Sequence, residues 1–188
     1  MLRNSPQGYG WVSILLHWSI AFALFGLFGL GVWMVELGLY DSWYHKAPAL
    51  HISLGVVTVI FMLFRYGWRW TNPVPAPVPQ PNLLKLAAAT VHQLFYFLVL
   101  ALGISGYMIS TAEDDPLLVF NRVAIPAIHF NLNNQADLAG EIHFWLAWSL
   151  IIFAGIHAIA ALKHHFMNHD ATLIRMLTTR PQKEINHE

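Results

Sequence analysis

The sequence predicts an all-α integral membrane protein, a four-helix bundle, from three observations. Hydrophobic residues make up 56% of the 188 and charged residues only 11%, too few polar groups to cover a water-soluble fold. Four apolar stretches are long enough to span about 30 Å of hydrocarbon, which takes about 20 helical residues. Lysine and arginine also segregate to alternate connections, as four crossings would require.

The first helix is expected at roughly 9–36. It begins near the start of the chain, but it runs past the length of a signal-peptide core and shows no small-residue cleavage site, so it reads as retained. The second is expected at 48–70. The run NPVPAPVPQPN follows, with five prolines in eleven residues. It can form neither helix nor central strand, which makes 71–81 an extended cytoplasmic connector. The third helix is expected at 82–110 and the fourth at 139–167. Between them, 111–138 is long for a connection between packed helices. Its apolar segment PLLVFNRVAIPAIHF suits the membrane surface or a cover over a site. Gly26, Gly29 and Gly31 in the first helix, and Gly103, Ser105 and Gly106 in the third, allow close approach of a neighbouring helix or a flat cofactor.

Orientation follows from the cations. With the N-terminus cytoplasmic, that side holds Arg3, Arg65, Arg69, Lys85, Lys163, Arg175, Arg180 and Lys183, and the far side only Lys46 and Arg122. Both termini are then cytoplasmic and the protein is a multi-pass membrane protein in contact with lipid. Seven of the ten carboxylates, Glu36, Asp41, Glu113, Asp114, Asp115, Asp137 and Glu141, fall outside. No nucleic-acid partner is expected.

The absence of cysteine excludes disulfides, thiolate nucleophiles, zinc knuckles and iron-sulfur clusters together. Eleven histidines remain, several of them in apolar helices, where ionisable groups are costly and mark function by default. His143 and His157 bound the stretch HFWLAWSLIIFAGIH. Their spacing leaves them about 40° apart around a helix and roughly 21 Å apart along it, so they share a face at opposite membrane depths. They cannot share one metal ion. Each needs a partner from another helix at its own depth.

His51, three residues inside Pro48, matches the depth of His143 at the outer side. On the inner side His17 matches His157, and so does His92, and depth does not separate these two. His45, His129, His169 and His187 lie in loops or tails and read as solvated. Two imidazoles facing each other between helices are the axial arrangement of a b-type haem, and without a C-x-x-C-H motif covalent attachment is excluded. Two bis-histidine haem irons, with no open coordination position, point to electron transfer. Arg65 and Arg69, four residues apart on one face, suit the propionates of the inner haem. A histidine-lined cation transporter is the competing class, but it calls for buried carboxylates, which the cores of these helices lack.

The motifs that carry this geometry are LLHW at 15–18, ALHISLG at 49–55, R-x-x-x-R followed by NP from Arg65 to Pro73, VHQLFYFL from Val91, and EIHFW at 141–145. The run GIHAIAALKHHF, followed by DATLIRML at 170–177, is the most specific. In order and over nearly the whole chain they resemble the bacterial cytochrome b561 family of di-haem membrane proteins, and within it the branch of superoxide oxidases. The resemblance implies that His17 and His157 hold the inner haem b and His51 and His143 the outer one, with His92 close to a haem. It also implies ubiquinone as electron acceptor and superoxide as donor at the outer face. The alternative function is an electron-relay subunit between the quinone pool and a redox protein partner. An acidic outer face steers anions poorly, so Lys46 or Arg122, with His129, would have to form a local funnel. The sequence singles out no catalytic residue.

Overall fold

The computed structural model describes residues 1–76, 80–128, 130 and 132–179. Four helices dominate: α1 Trp11–Met34, α2 Lys46–Thr71, α3 Asn82–Ser110 and α4 Gln135–Phe166. All four are long and apolar enough to cross a membrane. Their outward faces carry exposed Phe22, Phe25, Ile60, Phe64, Phe97, Ile104, Trp145, Ile152 and Ile159. Water would not tolerate such a surface, whereas hydrocarbon covers it at no cost, and every backbone group within a helix is already satisfied.

α3 has the expected bounds. α2 begins two residues earlier than expected, because the amide of Ala47 closes a helical bond onto the Trp43 carbonyl. α4 begins four residues earlier, since its first turn is polar and escapes a reading by hydropathy. Asn134, with φ 58°, turns the chain into that helix, and the Gln135 amide donates to the Met108 carbonyl at 2.9 Å. The long connection holds a hairpin that sequence did not anticipate: β1 Leu117–Val119 pairs antiparallel with β2 Val123–Ile125. Phe120 and Asn121 both adopt positive φ at its tip, as a type I′ turn demands.

The chain divides into two compact units, each drawing on all four helices. The first comprises residues 1–21, 61–96 and 152–188. Here the Asn4 side-chain carbonyl accepts from the Gly10 amide and the Ser13 hydroxyl, and Ser13 accepts in turn from the Trp68 indole at 3.1 Å. The start of the connector is tied down as well. Ala76 donates through its amide to the Pro6 carbonyl, and its own carbonyl accepts from Arg175 at 2.8 Å. Arg175 sits in a short 3-10 helix, Ile174–Met176, against which Trp18 donates to the Met176 carbonyl at 2.7 Å. The remainder of the connector at 77–79, and Arg180, Lys183 and His187, lie outside the described residues, as does His129.

The second unit comprises residues 22–60 and 97–151. The hairpin tip is anchored in it by the Phe120 amide, which donates to the buried Ser53 hydroxyl of α2 at 2.8 Å, while Ser53 donates to the Ala49 carbonyl. Tyr107 ties α3 to the same connection through the Pro126 carbonyl. Phe28 of α1 packs edge-on to Trp148 of α4, with ring centroids 5.0 Å apart. At Gly103 a Cβ would fall 2.8 Å from Val59, so this glycine is what allows α3 to approach α2 closely.

Candidate functional site

In the second unit His51 of α2 and His143 of α4 face each other, with ring centroids 6.2 Å apart and planes inclined at 67°. Two nitrogen-metal bonds of about 2 Å plus two ring half-widths come to about 6 Å. The separation therefore suits one metal ion between two imidazoles. Among the described residues no three His, Asp or Glu side chains converge as they would around a bare cation. A metal held by two protein ligands needs its remaining positions filled by something else, and a porphyrin supplies four.

Each ring leans on a neighbouring helix in the same manner. On α1, Gly31 leaves room for His51, where a Cβ would lie 3.2 Å from the ring's Cε1 and 3.7 Å from Nδ1. On α3, Gly106 does this for His143, at 3.4 Å and 3.7 Å. Four residues before each glycine stands a leucine whose carbonyl faces the ring as an acceptor, Leu27 for His51 and Leu102 for His143. Nδ1 of His51 is buried, and the Leu27 contact falls short of a well-formed hydrogen bond. His143 is better served, because the hydroxyl of the buried Ser105 lies 3.0 Å from its Nδ1.

In the first unit three imidazoles gather. His92 of α3 and His157 of α4 have ring centroids 5.7 Å apart, inclined at 70°, and Phe95 packs edge-on to His157 at 5.6 Å. His17 of α1 lies close enough to both for electrostatic interaction and packs against Trp18. Arg65 brings positive charge to all three rings and donates to the Ser13 carbonyl at 3.3 Å; Arg69 acts on His92. Two guanidinium groups beside a set of imidazoles suit an anionic ligand, carboxylates above all. The histidines and arginines singled out from sequence thus fall into two groups, His51 with His143, and His17, His92 and His157 with Arg65 and Arg69.

Sequence reasoning gave no role toward a histidine to Ser105, Gly31 or Gly106 individually. The signal was present as LFGLG at 27–31 and LGISG at 102–106, two segments with leucine and glycine at the same spacing. Of the other small residues noted, Gly26 and Gly29 meet nothing among the described residues within 4 Å of where a Cβ would stand.

The profile described as prokaryotic cytochrome b561 matches residues 8–179. The chain is 46% identical over 175 residues to the protein named cytochrome b561 homolog 2 of Escherichia coli K12, covering 93% of each. It is 32% identical over 139 residues to a probable superoxide oxidase CybB of Yersinia pestis, covering 73% of this chain and 77% of that one. To a cytochrome b562 of Cereibacter sphaeroides it is 28% identical over 186 residues, 94% and 99% of the two chains.

Proposed function

We propose, from the premise that the chain belongs to the prokaryotic cytochrome b561 family, that this bacterial membrane protein of b-type haem electron transfer holds two haems and is a superoxide:ubiquinone oxidoreductase. Each haem, when bound by two imidazoles, supplies a one-electron carrier with no coordination position left for a substrate. His51 and His143 hold the outer haem. His17 and His157 hold the inner one, with His92 beside it and Arg65 and Arg69 on its propionates. The observation that carries this reading is the 6.2 Å facing pair in one unit together with the gathered His17, His92 and His157 in the other. The positive-inside count supports cytoplasmic termini with the His51 end outside.

In the reaction two superoxide anions each give up one electron at the outer face and leave as dioxygen. One ubiquinone takes up those two electrons with two protons and leaves as quinol. The chain's part is to present one imidazole set in each unit and, beside His17, His92 and His157, to neutralise carboxylates with Arg65 and Arg69.

The excess of carboxylates outside favours a second reading, a relay subunit that meets a basic redox protein there rather than a small anion. A superoxide pulse separates the two. On the first reading the purified holoprotein shows haem reduction faster than spontaneous dismutation, and added ubiquinone reoxidises it. No haem change, together with stable co-purification of a redox partner, supports the relay and sinks the oxidase. A preparation that folds with haem supplied yet lacks any haem band removes both.

A further inference from the structure

The two support helices present the same leucine and the same glycine to the outer histidines but differ in the residue beside the glycine. Leu27 and Gly31 of α1 face His51 as Leu102 and Gly106 of α3 face His143. One residue before the glycine, α1 has Leu30 and α3 has Ser105. Ser105 is buried on α3, and its hydroxyl donates to the Leu102 carbonyl at 3.1 Å while lying 3.0 Å from His143 Nδ1.

A hydroxyl has one proton and two lone pairs. With the proton on Leu102, the Ser105 oxygen can only accept, so the proton between Ser105 and His143 belongs to Nδ1 of the imidazole. That leaves the Nε2 lone pair for a metal. Among the described residues His51 meets no such partner, and its Nδ1 faces only the loosely placed Leu27 carbonyl.

We propose that Ser105 is a positioning residue for the outer haem: it fixes the tautomer and ring angle of His143 and makes His143 the stronger electron donor of the outer pair. A hydrogen bond accepted from the distal ring nitrogen raises the basicity of the ligating one, which favours the oxidised iron. The bond therefore holds the outer midpoint potential down. The inference rests on the reading that His143 ligates that haem, and His143→Ala tests that reading separately through haem stoichiometry.

The experiment is a redox titration of purified holoprotein, followed optically and by the low-spin ferric resonance, for Ser105→Ala, Ser105→Thr and Leu30→Ser. Ser105→Ala is expected to keep the outer haem, raise its midpoint potential and alter its ferric signal, leaving the inner haem unchanged. Ser105→Thr restores the hydroxyl and the potential. Leu30→Ser gives His51 the missing acceptor and moves the outer potential the opposite way. Unchanged potential and resonance in Ser105→Ala with the outer haem retained overturn the proposal. So does loss of the outer haem from both the Ala and the Thr variants, which would make Ser105 a packing residue only.

Discussion

Gly31→Ala is the most direct test of how the outer histidine pair is held. The new Cβ would stand 3.2 Å from Cε1 of His51, against a comfortable carbon-carbon contact of about 3.5–4.0 Å. His51 must give way by a few tenths of an ångström, and overpacking of this kind costs about 1–3 kcal/mol. Alanine also gains about 0.8–1 kcal/mol over glycine in a helix interior. The gain accrues to α1 whether or not haem is bound, whereas the clash falls on the ring that, on the proposed reading, would align with the iron. The fold should therefore survive while the outer haem is held about 5- to 160-fold more weakly, for a loss of about 1–3 kcal/mol at the site. Gly106→Ala, with its Cβ at 3.4 Å from His143, lies at the edge of ordinary contact and should lose less. The assay is haem per protein by pyridine haemochrome after a detergent wash, with the reduced-minus-oxidised spectrum identifying which haem remains. Full retention in Gly31→Ala with an unaltered outer band, or a larger loss in Gly106→Ala, would refute the argument.

Other substitutions separate the two sites and probe the first unit. Ala at His51 or His143 should leave only the inner haem, and Ala at His17 or His157 only the outer. Loss of the inner haem in His92→Ala, with retention in His17→Ala, would transfer that ligand role to His92. Arg175→Ala removes a charged donor from the Ala76 carbonyl, an interaction worth about 1.5–3 kcal/mol. It should lower the melting temperature in detergent and expose the segment around Ile174 to protease; an unchanged melting temperature would show the bond to be incidental. Asp170, beyond the end of α4, gives a pH dependence. Burial works to raise its carboxyl, but hydrogen bonds from Thr172 and His164 outweigh that and hold it below the ordinary carboxylate value. A carboxyl lowered on folding stabilises fully above its unfolded value and loses that contribution as pH falls through the folded one. Protection of residues 170–176 against hydrogen exchange, corrected for the intrinsic pH dependence of amide exchange, should accordingly fall on acidification in the wild type and stay flat in Asp170→Asn. Equal acid sensitivity in both would place the cause elsewhere.

What could be read from sequence, and what could not, follows from how each feature is encoded. Long apolar runs mark four helices because hydrocarbon imposes a length, and the bounds of α3 follow from that alone. The first turn of α4 is written in Asn134, Gln135 and Asp137, residues chosen for a polar connection, so hydropathy stops short of it. The hairpin is hidden for a different reason. Its strands are three residues each and its turn uses Phe120 and Asn121 rather than a glycine, which leaves too little alternation to detect. The arrangement of the histidines was more accessible, since residue counts along straight helices convert directly into depth. Counting set His51 level with His143, whose rings stand 6.2 Å apart. It also left His17 and His92 level with His157, and all three occupy one unit.

The support behind the rings is a harder case. Leu27 and Leu102 act through backbone carbonyls, which every residue possesses, and Gly31 and Gly106 act by lacking a side chain. Neither leaves a mark that distinguishes a ligand-bearing site from ordinary close packing of membrane helices, where small residues are common. Only the repetition of leucine and glycine at the same spacing on α1 and α3 carries information, and it becomes meaningful once both segments are seen against a histidine. Ser105 is the exception because it has a side chain with a single proton to place. Where support is given by the backbone, its loss can be tested only by adding bulk, as at Gly31. Where it is given by a hydroxyl, it can be removed at one helix and installed at the other, and the two changes must move the outer potential in opposite directions.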